Sequence, residues 1–131
     1  MCIIDYDDGE TCTVWREERV QRARVRHTCR SCGSQIMPGR SYWKRHMVWD
    51  GTADTEACCD PCWAVAEAFG EAHHMTPTPS TLLEYLDQCV DQGEEGAERW
   101  RAAAREIRRK RERAWRREQR QALAVGAQES S

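Results

Sequence analysis

Residues 56–63 read EACCDPCW, and this stretch decides the fold because it places three cysteines around an Asp-Pro pair. Asp60 is a good N-cap residue and Pro61 suits the first helical position, so we expect a helix to begin here. Cys62 then lies in the first helical turn, and Cys59 lies just outside it. The free N–H groups at that end of a helix stabilise thiolates, which favours metal binding by both cysteines.

A second pair with the same spacing, Cys29 and Cys32, lies earlier in the chain. Gly33 follows it and permits the tight backbone turn that a metal-binding knuckle requires. The full pattern is C-x-x-C, 26 residues, C-x-x-C. Such spacing around a hairpin is typical of tetrahedral Zn²⁺ sites with four cysteine ligands. We therefore predict one Zn²⁺ ion bound by Cys29, Cys32, Cys59 and Cys62.

The remaining cysteines carry less information. Cys58 ends the predicted strand, where alternation points it away from Cys59, so we expect it to pack in the core rather than bind the ion. Cys89 lies on an apolar helix face and is expected to be a small core residue. The sequence leaves open whether a second metal site forms. Its candidate ligands are Cys2, Cys12, Cys58, His73 and His74.

The composition points to a metal rather than to disulfides. The chain has 131 residues and 8 cysteines, and a protein of this size often needs disulfides or a metal for stability. The start, MCIIDYDDGE, is acidic where a secretory signal needs basic residues, and no stretch approaches the roughly 18 apolar residues of a membrane span. We therefore expect a cytoplasmic protein with reduced thiols and no membrane contact. Paired cysteines in that compartment favour zinc.

Between the two cysteine pairs the sequence predicts a β-hairpin. Residues 41–48 are aromatic or β-prone, Asp-Gly at 50–51 supplies the turn, and residues 52–58 return as the second strand. A helix then follows the Asp60 cap and ends near residues 73–74. Together with the knuckle, these elements predict a small α+β zinc domain with an N-terminal arm over residues 1–74.

Residues 75–131 are predicted to form a helical extension of that domain. The segment MTPTP breaks the preceding helix, and a capping box at residues 81–84 opens the next one. The apolar face of that helix consists of Leu82, Leu86, Cys89 and Val90. A long basic helix is expected over residues 97–124, with packing that fades beyond Ile107 and a disordered tail from residue 126.

The net charge of −2 is divided unequally along the chain. Residues 1–98 hold 9 Lys and Arg against 18 Asp and Glu, a net charge of −9, whereas residues 99–131 hold 11 against 4, a net charge of +7. A basic helix of this density suits phosphate contacts. It also suits a solvated helix that is stabilised by Glu106–Lys110 and Glu112–Arg116 pairs. In that case the acidic residues 1–98 dock against the helix. The sequence leaves both interpretations open.

Candidate residues for binding nucleic acid or a protein partner lie in two segments. Residues 20–27 read VQRARVRH, which places alternate arginines on one face if the segment is extended. The preceding residues 1–19 are expected to form a loose hairpin or an extended arm. The basic helix adds further cations and a tryptophan that can stack on bases or pack on protein. The candidates are Arg22, Arg24, Arg26, Arg108, Arg109, Lys110, Arg111, Trp115, Arg116 and Arg117.

The stretch HTCRSCGSQIMPGRSYW, followed by VWDG and CCDPCW, resembles a family of small, functionally unassigned bacteriophage proteins. Those proteins have treble-clef or zinc-ribbon-like folds with a four-cysteine zinc site. The similarity covers mainly residues 20–70, and the matching positions are Cys29, Cys32, Gly33, Pro38, Gly39, Cys59 and Cys62. The resemblance implies a phage or prophage origin and a treble-clef-like knuckle, hairpin and helix. It does not imply a function, because treble clefs serve many roles.

The residue types speak against catalysis. Some treble-clef proteins are HNH-type nucleases, which need a catalytic histidine on the hairpin and an asparagine or histidine that positions a divalent metal. Only His46 lies on the predicted hairpin, and the chain contains no asparagine. We therefore expect no enzymatic activity and no small-molecule substrate.

Two functional hypotheses follow from these patterns. The first is a non-enzymatic, zinc-stabilised phage protein that binds and modulates or inhibits a host protein or nucleoprotein complex in the host cytoplasm. CRISPR effectors and other defence complexes are natural targets for such a chain. The alternative is a regulator that binds DNA or RNA directly through the C-terminal basic helix.

Overall fold

The computed structural model describes residues 12–49, 51–93 and 95–129 and shows a small α+β fold. The strands are β1 (Cys12–Val20), β2 (His27–Thr28), β3 (Gln35–Ile36), β4 (Tyr42–Trp49) and β5 (Thr52–Cys59). The helices are α1 (Asp60–His73), α2 (Leu82–Asp91) and α3 (Glu98–Glu129). One antiparallel sheet has the strand order β1-β4-β5, and a second sheet pairs β2 with β3.

The predicted hairpin is present as β4 and β5, with each strand boundary within one residue of the prediction. Trp49 pairs with Thr52 at its closed end, and Gly51 has φ 82°, which suits a two-residue hairpin turn. The strand β1 covers part of the predicted N-terminal arm and pairs with β4 from Cys12 to Val20. Residues 1–11 of that arm lie outside the described residues.

The segment after β1 is not extended, so its arginines do not share a strand face. Residues 21–26 are bent, because the buried Ala23 is tied to the loop before β4. Its N–H donates to the carbonyl of Arg40 at 2.8 Å, and its carbonyl accepts from the N–H of Gly39 at 2.9 Å. The arginines on either side of Ala23 are exposed.

The helix α1 begins at Asp60, one residue earlier than predicted from an N-cap at Asp60. Cys59 occupies the N-cap position, and Asp60 is the first helical residue rather than the cap. The Asp60 carboxylate instead accepts a hydrogen bond of 2.5 Å from the Ser41 hydroxyl, which joins the helix start to the entry of β4. Pro61 lies in the first turn as predicted, and the helix ends at His73.

Residues 75–81, which we call the strap, connect α1 to α2 and are bonded to the sheet. The buried Arg45 of β4 donates from Nη1 to the carbonyl of Pro77 at 2.7 Å. The buried Glu56 of β5 accepts from the N–H of Ser80 at 2.8 Å and from its hydroxyl at 2.7 Å. The strap therefore covers the sheet instead of crossing solvent.

The helix α2 has the predicted apolar face but not the predicted capping box. Leu82, Leu86 and Cys89 are fully buried. Thr81 is the N-cap residue, yet its side chain makes no capping hydrogen bond. Its hydroxyl accepts from the N–H of Thr78 at 3.0 Å, so it closes a turn within the strap.

The helix α3 is longer than the predicted 97–124 and continues through residues predicted to be disordered. Trp100, Ala104 and Ile107 are buried, as their spacing predicts. The predicted end of packing at Ile107 is wrong, because Ala114 is also buried. From residue 118 to residue 127 every side chain is exposed.

One hydrophobic core joins residues from both predicted segments, 1–74 and 75–131. Phe69 of α1 meets Trp100 of α3 edge to face, with ring centroids 5.2 Å apart. Trp63 stacks on Trp43 of β4 at 4.6 Å. No helix among the described residues is both long and apolar enough for a membrane crossing.

The strap generates a stability prediction. Glu56→Ala removes the carboxylate that accepts hydrogen bonds from the N–H and the hydroxyl of Ser80. Because both donors lose their partner, we expect the free energy of unfolding to fall by about 2 kcal/mol. Asp54→Ala, at an exposed position of the same strand, is the matched control and should change stability by less than about 0.5 kcal/mol. Urea unfolding monitored by tryptophan fluorescence measures both. Equal effects of the two substitutions would show that the strap contributes nothing specific.

Candidate metal centre

The sulfur atoms of four cysteines converge at one point of the structure. The Sγ atoms of Cys29, Cys32, Cys59 and Cys62 all lie within 4.8 Å of one another. The Sγ atoms of Cys32 and Cys59 are 3.7 Å apart. A tetrahedral ion with metal–sulfur bonds of about 2.3 Å separates its ligands by about 3.8 Å. The four side chains therefore have a spacing that can hold one metal ion, and they are the four identified from the sequence.

The loop that follows β2, residues 29–34, is the knuckle, and it positions the first cysteine pair, Cys29 and Cys32. The N–H of Gly33 donates to the carbonyl of Cys29 at 2.9 Å, and the N–H of Cys29 donates to the carbonyl of Ser34 at 2.9 Å. Gly33 has φ 76°, a left-handed conformation that glycine adopts without strain. The N–H of Arg30 donates to the carbonyl of Ala57 at 2.9 Å and holds the knuckle against β5.

The junction of β5 and α1 positions the second pair. Cys59 is the last residue of the strand and the N-cap of the helix, and Cys62 lies in the first helical turn. The N–H of Cys59 donates to Sγ of Cys29 at 3.3 Å, so the backbone of one pair hydrogen-bonds a sulfur of the other. Such N–H donors stabilise a thiolate, which is the form that binds metals.

The electrostatics of the cluster match a site that requires a cation. Hydrogen bonds from the thiols of Cys32, Cys58, Cys59 and Cys62 hold the pKa of Cys29 far below its ordinary value. The same contacts with Cys29 and Cys32 raise the pKa of Cys59 and of Cys62. Four thiolates cannot coexist at this spacing without a compensating charge. A divalent ion supplies that charge and displaces the remaining protons.

Cys58 lies beside the cluster but is not one of its four members. Its side chain is fully buried, and its thiol donates to the carbonyl of Cys59 at 3.5 Å. Hydrogen bonding with Cys29, together with burial, raises the pKa of Cys58, which keeps it a protonated thiol. This placement agrees with the strand alternation that separates it from Cys59.

Among the described residues, only these four cysteines bring three or more candidate metal ligands together. Cys2 and the side chain of Cys12 lie outside the described part of the chain. His73 has another partner: its Nδ1 bonds to the carbonyl of Phe69 at 2.9 Å, and its Nε2 lies 3.5 Å from Sγ of Cys89. The ring therefore links α1 to α2 within the core, a contact that the spacing of the sequence did not predict.

The knuckle is also the surface on which α3 docks, which explains why packing continues past Ile107. Nε of Arg111 donates to the carbonyl of Ser31 at 2.5 Å. A Cβ atom on Gly33 would lie 3.1 Å from Cβ of Ala114, so the helix passes directly over the knuckle. Arg111 interrupts the apolar stripe in the sequence, but it lies on the docked face and bonds to the fully buried Ser31.

Ser31 connects the knuckle to the strap as well. Its hydroxyl donates to the carbonyl of Pro79 at 2.6 Å. Ser31, one of the two residues between the cysteines of the first pair, thus bonds to the strap through its side chain and to α3 through its backbone. Its role was missed in the sequence, where a serine between two cysteines carries no distinguishing signal.

The predicted binding residues of α3 divide into bonded and exposed groups. Arg108 pairs with Asp87 of α2. Glu112 pairs with Arg116 at 2.7 Å as predicted, whereas Glu106 pairs with Arg109 at 3.1 Å rather than with Lys110. Arg111 bonds to the knuckle, and Lys110 and Arg117 are half-buried. Trp115 is 60% exposed.

In comparisons with protein-family models, curated proteins and solved structures, this chain matches none of them. The site is therefore interpreted from its own geometry and chemistry.

The geometry assigns different roles to three neighbouring cysteines, because Cys59 and Cys62 belong to the cluster and Cys58 does not. Cys59→Ser and Cys62→Ser should each abolish stoichiometric metal binding and lower the free energy of unfolding by roughly 3 kcal/mol or more, since structural metal ions contribute directly to folding. Cys58→Ser, the matched control, should retain the metal and cost about 1 kcal/mol. Elemental analysis of bound zinc per chain and thermal unfolding measure both effects. Loss of metal from Cys58→Ser with retention in Cys59→Ser would show that the ligand pair is assigned wrongly.

Docking of α3 on the knuckle predicts that removal of the metal loosens the helix locally. Amide hydrogen exchange at residues 111–114 should accelerate by about tenfold or more after chelation, because Arg111 and Ala114 lose the ordered knuckle beneath them. Residues 118–127 are exposed in the intact protein and should not change. Addition of zinc should restore protection. Unchanged exchange at residues 111–114 in the metal-free protein would contradict the coupling.

Proposed function

We propose that this chain is a non-enzymatic interaction protein whose fold is stabilised by one structural Zn²⁺ ion. The observation that carries the proposal is the closed set of four cysteine sulfurs within 4.8 Å of one another. Structural zinc sites are typically filled by four protein ligands, whereas catalytic zinc keeps a position open for water or substrate. Three of the four cysteines are buried, which favours a structural ion.

The order of elements supports a treble-clef-like arrangement of this site. A knuckle between β2 and β3 supplies the first pair of cysteines, and the hairpin β4-β5 follows it. The helix α1 then brings the second pair in its N-cap and first turn. The resemblance of residues 20–70 to small phage proteins adds a phage or prophage origin to the proposal.

The surroundings of His46 favour a binding role over nuclease chemistry. Its Nδ1 lies 3.1 Å from Oγ1 of Thr55, and its Nε2 lies 3.3 Å from a carboxylate oxygen of Glu18. The ring is thus held between neighbouring strands by two surface side chains. A nuclease of this fold class would need that histidine beside a second metal-positioning residue.

The proposed partner is a host protein or nucleoprotein complex in the bacterial cytoplasm, where reducing conditions keep the cysteines available for zinc. Defence complexes, CRISPR effectors among them, combine protein and nucleic-acid surfaces. The chain has a matching division of charge, with a net charge of −9 over residues 1–98 and +7 over residues 99–131. Charge complementarity of this kind selects partners and accelerates association.

A second candidate function is direct binding of DNA or RNA by α3. The observation that favours it is the row of exposed arginines along this helix. It differs from the first candidate in that nucleic acid alone suffices as the partner.

Affinity capture tests the proposed function. The zinc-loaded chain should enrich a specific protein from a nuclease-treated bacterial lysate, because the proposed partner surface is at least partly protein. The Cys59→Ser variant serves as the control bait and should enrich the same protein at least about fivefold less, since its metal centre is disrupted. Quantitative mass spectrometry compares the two baits. Lack of any protein enriched over the control, in a zinc-loaded and folded sample, would contradict the proposal.

A further inference from the structure

The outward face of α3 carries a row of five arginines, which we call the arginine stripe. Its members are Arg105, Arg109, Arg113, Arg116 and Arg120. At about 100° per residue, the stripe is centred about 180° from the face that docks on the body of the protein. That docked face contains Trp100, Ala104, Ile107 and Ala114. All five arginines are exposed, and the stripe extends about 22 Å along the helix.

The charge of the stripe is only partly neutralised by its surroundings. Glu106 and Glu112 flank it and pair with Arg109 and Arg116. The other three arginines, Arg105, Arg113 and Arg120, have no ion pair within the part of the chain that the structure describes. The surface is thus a line of guanidinium groups that faces solvent.

We propose that the arginine stripe binds the phosphate backbone of duplex DNA. This deepens the proposed function and rests on it, since it assigns the nucleic-acid part of a nucleoprotein partner to one face of α3. Guanidinium groups bind phosphate oxygens through two parallel N–H donors, which makes arginine well suited to this contact. Docking on the knuckle keeps the helix ordered before binding, so less conformational freedom is lost.

The absence of apolar side chains from the stripe distinguishes DNA from other anionic partners. The cores of protein–protein interfaces are rich in aromatic and apolar residues, and this face of α3 has none between positions 105 and 120. Binding of single strands relies on stacking, yet Trp115 lies about 120° around the helix from the centre of the stripe. The major groove of B-form DNA admits an α-helix, whereas that of duplex RNA is too narrow for side chains to read.

The experiment compares two triple variants with equal changes in charge. The first is Arg105→Gln, Arg113→Gln and Arg120→Gln within the stripe. The matched control is Arg16→Gln, Arg19→Gln and Arg40→Gln, which neutralises three exposed arginines outside α3. Binding to a random-sequence duplex of 24 base pairs is measured by fluorescence anisotropy between about 50 and 200 mM salt.

For the wild-type chain, a plot of the logarithm of the binding constant against the logarithm of the salt concentration should have a slope of about −4.5 if all five arginines contact phosphates. The stripe variant should bind more than about tenfold more weakly, with the slope reduced in magnitude by about 2.7. The control variant should keep the wild-type slope. All three chains should retain zinc and helical circular dichroism, which separates a binding defect from a folding defect.

Three results would overturn the inference. The first is no binding of the duplex by the wild-type chain, and the second is an equal loss of affinity in both variants. The third is competition by polyglutamate as strong as that by the duplex at equal charge, which would assign the stripe to acidic proteins. Any of these, with zinc retained and a protein partner still captured, leaves the proposed function intact. Failure of the proposed function would appear instead as a folded chain that binds no metal or as an affinity capture that enriches no specific protein.

Discussion

The convergence of two cysteine pairs on one point is the constraint on which the rest of the structure depends. The sulfurs of Cys32 and Cys59 lie 3.7 Å apart although 27 positions separate the residues in sequence. That contact joins a loop after β2 to the junction of β5 and α1, so it fixes the start of the helix relative to the sheet. A small protein has limited apolar area to bury, and a metal ion bound at this junction would offset the loss of chain entropy.

The knuckle does more than supply two ligands, because its backbone and side chains are contact points for the C-terminal half. Ser31 bonds to Pro79 in the strap and accepts from Arg111 in α3. The strap is bonded in turn to Glu56, a residue of the strand that ends at Cys59. The cysteine cluster, the strap and the basic helix are therefore one bonded unit, and the orientation of the outward helix face depends on the cluster.

The sequence was informative where a local pattern determines local geometry. The Asp-Gly turn and flanking β-prone residues predicted the hairpin, and Pro61 with its neighbours predicted the start of α1 to within one residue. The four clustered cysteines were predicted from their spacing and from the position of Cys59 and Cys62 at the start of the predicted helix. Contacts between distant segments were not accessible in the same way. The position of Asp60 depends on Ser41, and the extended packing of α3 depends on a bond between Arg111 and Ser31, which are 80 residues apart.

Zinc K-edge X-ray absorption of the purified chain tests the four-cysteine metal site most directly, because it reports the number, type and distance of the ligands. A site formed by the four cysteines predicts one zinc ion per chain with four sulfur ligands at about 2.3 Å and no nitrogen or oxygen ligand. A mixed sulfur and nitrogen shell would contradict a site built only from Cys29, Cys32, Cys59 and Cys62. So would a folded chain that binds no metal.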